Sequence, residues 1–313
     1  MCMRKPDMRK RIGRLIGLKA LLWLMRIGAH LPHRMQIASG AWLGSLLHRW
    51  ATKRRKVVER NLELCFPEFK PETRKGIARR HFRALGTSLM ETSLAWWGDD
   101  REVSKRTRII GAEHLAEAFS GGAGVLLFSG HFTAFEVGGR VLTAHFPIAA
   151  SYRPHDDPDW DASIRAGRQQ YLETLIEHKN IRGMIRYLKA GGILWYAPDQ
   201  NFGGPRRVFA RFLGQRAATT TATSWLVQKS GAKVVPYLCR RRPDDSGWDV
   251  ILSPALEDFP SGDDLADAER LNAILEDHIK DNIEQYLWIH RRFKDRPPGE
   301  GDVYDPDMLR DAR

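Results

Sequence analysis

Short apolar runs alternate with longer segments of helical periodicity from residue 61 to the C-terminal part of the chain. The apolar runs predict strands at residues 124–129, 148–152, 193–196, 233–238 and 249–252. Apolar positions repeating every three or four residues predict helices at 71–97, 135–145, 159–177, 182–190, 219–230 and 271–286. Strands separated by helices favour an α/β fold, with a central mixed or mostly parallel sheet flanked by helices.

The N-terminal region has a different pattern, seen in the stretch RIGRLIGLKALLWLMRIGAHLP at residues 11–32. This stretch is nearly long enough to span a bilayer. Its internal Arg and Lys residues would each cost about 2.5–3.5 kcal/mol at mid-bilayer. On a helix the basic and apolar side chains form opposite stripes: Lys19, Arg26 and His30 against Leu18, Leu21, Leu22 and Met25. The stripes predict an amphipathic helix at the membrane surface. A core-packing helix with a solvated basic face, or a single membrane span, is the alternative.

Charge is also concentrated in this region. The chain of 313 residues has a formal net charge of +12, yet residues 1–60 hold 15 Lys and Arg against Asp7 and Glu59. The rest of the chain is therefore nearly neutral, which argues against a nucleic-acid binder. A second basic block at 53–60 would face anionic head groups. We predict a basic membrane-associating region at 1–60 and an α/β domain at 61–313.

The three cysteines indicate neither a disulfide framework nor a zinc site, since Cys2, Cys65 and Cys239 are far apart in sequence. The chain also lacks the common signatures of metalloproteases, dinucleotide enzymes, phosphate-loop enzymes and serine esterases. No metal or other cofactor is expected.

Candidate chemistry lies in the stretch GVLLFSGHFTAFEVGG, residues 124–139, where a predicted strand runs into a predicted helix. Ligands of α/β sheets collect beyond the carboxyl ends of the strands, which is where His131 lies. If Thr133 caps the helix, Glu136 completes a capping box, a purely structural interpretation. The functional interpretation is that Glu136 accepts a hydrogen bond from His131, leaving the other ring nitrogen as a general base. Ser129 is the nucleophile candidate nearest in sequence, although its strand-end position would point it elsewhere.

The chain resembles the late acyltransferases of lipid A biosynthesis, the lauroyl transferase group, within the lysophospholipid acyltransferase-like superfamily. Matching segments run along nearly the whole chain and include RNLELCFPE at 60–68, GHFTAFE at 130–136, YRPHDDP at 152–158, LWYAPDQNFG at 194–203 and QYLWIHRRFKDRPPGE at 285–300. One departure is Asp157, where the resemblance leads us to expect Asn.

The resemblance implies transfer of a fatty acyl chain, expected to be lauroyl, from acyl carrier protein to a hydroxyl of the Kdo-bearing lipid A precursor. The expected location is the cytoplasmic face of the inner membrane. His131 and Glu136 match the family's His-x4-Asp/Glu pair and are the predicted catalytic residues. Alternatives are an acyltransferase acting on another glycolipid or a lysophospholipid, or a peripheral membrane adaptor without enzymatic activity.

Arginines are expected near such a site, because guanidinium groups bind phosphates and carboxylates in a bidentate manner. Arg153, just past a predicted strand end, and Asp199, after another, are the predicted substrate-binding residues. Asp199 could orient Arg153 or a neighbouring base; its structural alternative is a turn or cap residue. Two further basic groups could bind phosphate or the acidic carrier protein, or be solvated faces: Arg206, Arg207, Arg211 and Arg216; and His290, Arg291, Arg292 and Lys294.

Overall fold

The computed structural model describes residues 8–304, with side chains from residue 13 onward. Cys2 and Asp7 lie outside the described residues. The helices of the described part are α1 (Met8–Gly28), α2 (His33–Trp50), α3 (Thr52–Cys65), α4 (Pro71–Trp97), α5 (Asp100–Arg106), α6 (Ala112–Ser120), α7 (Phe135–Thr143), α8 (Pro158–Arg168), α9 (Ile181–Lys189), α10 (Ala222–Ser230) and α11 (Asp264–Lys280). Its strands are β1 (Thr107–Ile110), β2 (Val125–Phe128), β3 (Ile148–Tyr152), β4 (Thr174–Glu177), β5 (Ile193–Tyr196), β6 (Arg207–Phe212), β7 (Gln215–Thr220), β8 (Lys233–Arg241) and β9 (Trp248–Leu252).

Seven strands form one mixed sheet in the order β1-β9-β8-β2-β5-β3-β4. Neighbouring strands in this sheet are parallel, except for β8 and β9, which are antiparallel. The predicted α/β class with a mixed central sheet is therefore confirmed. A separate antiparallel hairpin, β6–β7, lies against α11.

The five predicted strands all form, and α4 has the predicted bounds. The prediction was wrong at residues 174–177, which form β4 and pair with β3 at the sheet edge, after α8 has already ended at Arg168. The last helix is also shifted, ending at Lys280 instead of continuing to 286. Strands β1, β6 and β7 were missed because each carries polar or basic residues and lacks a continuous apolar run.

The central strand β2 reads VLLF and is buried at every position. Side chains of β2 alternate between the two faces of the sheet. Leu126 and Phe128 belong to one hydrophobic cluster, whereas Val125 and Leu127 belong to a second. A continuous apolar run is what a parallel strand covered on both faces requires.

The N-terminal helices pack on α4 at close range. A Cβ atom at Gly44 of α2 would lie 2.0 Å from the carbonyl oxygen of Phe82, and one at Gly86 of α4 would lie 2.1 Å from that of Gly40. These glycines therefore allow the two backbones to touch. The predicted domain boundary at residue 60 falls inside α3, whose Leu62 belongs to the same core cluster as Phe128.

Helix α1 presents apolar side chains in two directions. The predicted basic stripe is exposed, and the apolar Met25 packs with Ala95 and Trp96 of α4, with Leu22 against them. A second set of apolar side chains points outward: nine of the eleven large hydrophobic side chains classed as exposed among the described residues lie on α1 and α2. They are Ile16, Leu21, Trp23, Leu24, Ile27, Met35, Trp42, Leu47 and Trp50. None of the helices in the described part of the chain is both long and apolar enough to cross a membrane.

Candidate active site

His131 and Asp199 occupy equivalent positions after two neighbouring strands. β2 and β5 are parallel, with Phe128 opposite Tyr196, and each polar residue follows its strand end by three positions. Parallel strands lie about 4.8 Å apart, so matching positions beyond their carboxyl ends come within hydrogen-bonding reach. The strand register thus brings together two residues that are 68 positions apart in sequence.

The Asp199 carboxylate binds His131 through both of its oxygens. The ring Nδ1 of His131 lies 2.5 Å from Oδ1, and the backbone N–H of His131 donates to Oδ2 at 2.9 Å. Since a carboxylate only accepts, Nδ1 carries the proton, and Nε2 keeps a lone pair available to a substrate. The Asp199 side chain is 2% exposed, whereas that of His131 is 31% exposed. The pair therefore consists of a buried carboxylate and a partly exposed imidazole.

The electrostatics of the pair favour an ionised aspartate. Burial by itself would raise the pKa of Asp199, but the charge of His131 and the hydrogen bonds that it donates lower that pKa to about 2. Burial also lowers the pKa of His131, and this effect is outweighed by the charge and hydrogen bond of Asp199, so the pKa is raised. The nearby charge of Arg168 acts in the opposite direction on His131.

This arrangement differs from the pairing expected from sequence, in which Glu136 binds His131. Both carboxylate oxygens of Glu136 have other partners: Nε and Nη2 of Arg168 donate to Oε1 at 2.9 and 2.6 Å, while Tyr171 and Trp96 donate to Oε2. The buried ion pair with Arg168 joins the start of α7 to α8, and the hydrogen bond from Trp96 joins it to the end of α4. Sequence reasoning missed Arg168 and Tyr171, because neither lies in the motif.

The predicted capping box at the start of α7 is wrong. The N-cap residue is Ala134, and no side chain caps the helix. The hydroxyl of Thr133 is buried without a hydrogen-bond partner among the described residues, and its backbone N–H donates to the carbonyl of Gln285 at 2.8 Å. Glu136 is therefore not part of a helix cap, and its carboxylate instead binds Arg168.

The C-terminal segment 285–292, which we call the C-terminal strap, holds the His131 turn from the other side. Phe132 and Tyr286 form an antiparallel bridge, and the backbone N–H of Leu287 donates to the carbonyl of His131 at 2.9 Å. Asn61 of α3 fastens the strap by donating to the carbonyls of Trp288 and His290 at 2.7 and 2.9 Å. The backbone around His131 is therefore fixed by tertiary contacts on both sides.

A small cavity opens at His131 and Asp199, and the strap supplies most of its other walls. Its lining residues are Asn61, His131, Asp199, Gln200, Tyr286, Leu287, Trp288, His290 and Arg292. Arg292 was predicted to belong to an exposed basic cluster, but it is buried and donates to the carbonyl of Ala218 at 2.7 Å and to the hydroxyl of Thr219 at 2.8 Å. Its charge contributes to the lowered pKa of Asp199.

The other predicted residues lie farther from this cavity. Arg153 follows β3, two strands from β2, and its exposed side chain pairs with Asp156 at 3.2 Å. Asp157, the departure from the family pattern, caps α8 by accepting from the backbone N–H groups of Asp159 and Trp160. The buried hydroxyl of Ser129 donates to the carbonyl of Gly130. The structure thus joins His131 with Asp199, and it does not join Arg153 to them.

The comparisons with known proteins agree on one family. The family model described as bacterial lipid A biosynthesis acyltransferase matches residues 4–295. The lipid A biosynthesis lauroyltransferase of Escherichia coli (strain K12) is 39% identical, covering 89% of this chain and 90% of its own. The palmitoleoyltransferase of the same strain is 36% identical over 91% and 92% of the two chains, and its myristoyltransferase is 26% identical over 84% and 82%.

The chain therefore belongs to the bacterial lipid A biosynthesis acyltransferases. It is an acyltransferase of lipopolysaccharide biosynthesis, built on an α/β sheet with a histidine and an aspartate at adjacent strand ends.

Replacing Asp199 by Asn should lower kcat by about 10²–10⁴-fold, since the amide can donate to Nδ1 and favour the wrong tautomer of His131. Wild-type activity should rise with pH through a midpoint above 6.5, as the base loses its proton. In Asp199→Asn the midpoint should move to lower pH, because the charge that raises the pKa is gone. Rate profiles between pH 5 and 9 measure both effects, and an unchanged midpoint would contradict the pairing.

Replacing Glu136 by Gln should lower the free energy of unfolding by about 3–5 kcal/mol, because Arg168 would stay buried without a counter-charge. Denaturant titration measures the loss. The double variant Glu136→Gln with Arg168→Met is the matched control and should recover part of the stability, since it removes both charges. If Glu136→Gln alone unfolds like the wild type, the ion pair does not stabilise this corner of the fold.

Proposed function

We propose that this enzyme transfers a lauroyl chain from acyl carrier protein to a hydroxyl of the Kdo-bearing lipid A precursor, at the cytoplasmic face of the inner membrane. The observation that carries the proposal is the His131–Asp199 pair, with Nε2 available, in a chain of the lipid A acyltransferase family. The lauroyl chain is supported by the 39% identity to a relative named as a lauroyltransferase. Acyl transfer to a hydroxyl is chemistry that a positioned general base accelerates.

In the proposed mechanism, Nε2 of His131 takes the proton of the acceptor hydroxyl as its oxygen attacks the thioester carbon. Asp199 holds the Nδ1–H tautomer and stabilises the imidazolium that forms. The thiolate then leaves with the electron pair of the carbon–sulfur bond and receives the proton from His131. Asp199 needs no proton transfer of its own, in keeping with its pKa of about 2.

We propose different roles for Glu136 and Arg153: Glu136 positions part of the site, and Arg153 binds the acceptor. Glu136, through its ion pair with Arg168, fixes the start of α7, the helix that begins four residues after His131. We therefore propose that Glu136 supports catalysis indirectly, by positioning the start of α7. Arg153 lies on the same edge of the sheet as His131, because β3 runs parallel to β5 and β5 to β2. Its exposed guanidinium is suited to a phosphate or carboxylate of the acceptor.

Acyl carrier protein is acidic, so its docking would require exposed cations near the cavity. Arg54 of α3 is exposed and donates to the carbonyl of Ile289 in the C-terminal strap. Arg291 and Lys294 are exposed beside the same segment, whereas Arg292 points inward. We propose Arg54, Arg291 and Lys294 as the donor-protein contact.

The exposed apolar side chains of α1 and α2 support attachment to a membrane surface. Tryptophan and leucine beside basic residues are the composition of helices that lie in the interface. Trp23 and Leu24 are 63% and 59% exposed and precede Arg26 by three and two residues, and their burial in lipid would remove apolar area from water. This attachment would keep the enzyme beside a lipid acceptor.

Lauroyl transfer should be detectable with purified wild type, lauroyl-acyl carrier protein and the Kdo-bearing precursor, and His131→Ala should lower it by about 10²–10⁴-fold. In competition, lauroyl should be used ahead of myristoyl and palmitoleoyl donors. Mass spectrometry of the lipid product reports both results. Preference for another chain would contradict the assigned acyl length, and transfer only to other lipid acceptors would contradict the assigned acceptor.

Substituting Trp23 and Leu24 together by Ser should weaken binding to anionic lipid vesicles by tenfold or more, since burying each side chain is worth about 1.5–3 kcal/mol. Vesicle sedimentation measures the partition. The variant Leu265→Ser is the control, because Leu265 is a similarly exposed leucine, at 43%, on α11. Equal binding by both variants would mean that α1 does not contact the lipid.

A further inference from the structure

A second histidine, His290, lines the same cavity as His131. It lies in the C-terminal strap, three residues after Leu287, which donates to the carbonyl of His131. Asn61 holds the carbonyl of His290 at 2.9 Å, so its backbone is fixed as well. In the sequence it belongs to a run of basic residues, and nothing there sets it apart from its neighbours.

The tautomer of His290 is determined by its hydrogen bond to Asn201. The backbone N–H of Asn201 donates to Nε2 of His290 at 3.0 Å. A backbone N–H is only a donor, so Nε2 must carry the lone pair and the neutral ring must carry its hydrogen on Nδ1. Burial lowers the pKa of His290 to about 4. The charge of Asp199 opposes this shift, whereas the charges of His131, Arg292 and Arg54 add to it. The ring is therefore neutral at physiological pH.

The two histidines thus share the Nδ1–H tautomer but leave opposite ring nitrogens free. His131 uses Nδ1–H on Asp199 and offers Nε2 as an acceptor, whereas His290 uses Nε2 on Asn201 and offers Nδ1–H as a donor. Within residues 8–304, no hydrogen bond occupies Nδ1 of His290. One cavity therefore holds one base and one neutral donor.

Acyl transfer needs such a donor, because negative charge develops on the carbonyl oxygen as the hydroxyl attacks. Backbone N–H groups often supply it, but at this strand end several are already used. Those of Ser129, His131 and Thr133 donate to Tyr196, Asp199 and Gln285 respectively. Arg292, a charged donor on the cavity wall, uses its terminal nitrogens to bind the carbonyl of Ala218 and the hydroxyl of Thr219.

We propose that the Nδ1–H of His290 donates a hydrogen bond to the thioester carbonyl oxygen as it becomes an oxyanion, a catalytic role that rests on the proposed acyl transfer. The carbon–oxygen bond to the acceptor forms while Nε2 of His131 takes the hydroxyl proton. The oxyanion then re-forms the carbonyl, the carbon–sulfur bond breaks, and the thiolate accepts the proton from His131. His290 donates the same hydrogen bond throughout and gives up no proton.

The test compares His290→Phe, which removes the donor and keeps a ring, with His290→Gln, which keeps an N–H donor. We expect kcat for lauroyl transfer to fall by about 10²–10³-fold in His290→Phe, with KM for both substrates within about threefold of the wild type. His290→Gln should recover part of kcat. The pH midpoint set by His131 should stay in place, since His290 does not titrate in that range. The control His278→Phe, at a half-buried histidine of α11 outside this cavity, should keep wild-type kcat.

Wild-type kcat in His290→Phe would overturn the proposal, as would a loss confined to KM or a loss not relieved by Gln. An inactive wild type is a different result: it rejects lauroyl transfer itself, and the role of His290 with it. A measurement without turnover is ¹⁵N NMR of histidine-labelled enzyme at pH 7, in which His290 should be neutral with its hydrogen on Nδ1. A charged ring or an Nε2–H tautomer would overturn the assignment even in an active enzyme.

Discussion

The parallel pairing of β2 with β5 is the constraint on which the rest of the site depends. With Phe128 opposite Tyr196, the loops that follow the two strands start at the same edge, and the third residue of each meets the other. A shift of either strand by one residue would turn the side chains of that strand to the opposite face of the sheet and separate the two positions. In β2, Leu126 and Phe128 pack in one hydrophobic cluster and Val125 and Leu127 in the other, so such a shift would exchange side chains of different shape between two close-packed clusters. The position of His131 relative to Asp199 is therefore maintained by the core.

Around this pair, buried polar groups are matched to partners that belong to distant parts of the chain. Asp199 is satisfied by His131, Glu136 by Arg168, and Asn61 by the carbonyls of the C-terminal strap. Each of these hydrogen bonds joins two different elements of the fold. Together they fix the positions of α3, α7, α8 and the strap relative to β2 and β5. Buried charges and amides are costly unless they are paired. Such pairing selects one arrangement of the elements over others of similar apolar burial.

The apolar side chains of the N-terminal helices form two separate surfaces, one packed on the protein and one exposed, which the sequence pattern does not distinguish. On α1, one set of apolar side chains packs on α4 and a second faces outward among basic residues. Periodicity alone reports that apolar residues are abundant; it does not report which of them find a protein surface. Close glycine contacts between α2 and α4 bring these helices against the α/β body. A membrane-binding surface on them would therefore be held rigidly relative to the active-site edge of the sheet.

The sequence by itself determined the α/β class, the five apolar strands, helix α4 and the choice of His131 as the candidate base, since local periodicity and strand-end position are written in consecutive residues. The family resemblance also follows from the sequence. Only the tertiary structure decided that Asp199 is the partner of His131, that Glu136 belongs to Arg168 and that His290 shares the cavity. Strand order and loop return set those distances, and both depend on how whole elements pack. Near neighbours in sequence, such as His131 and Glu136, need not be partners, because a turn into a helix can point their side chains to different parts of the fold.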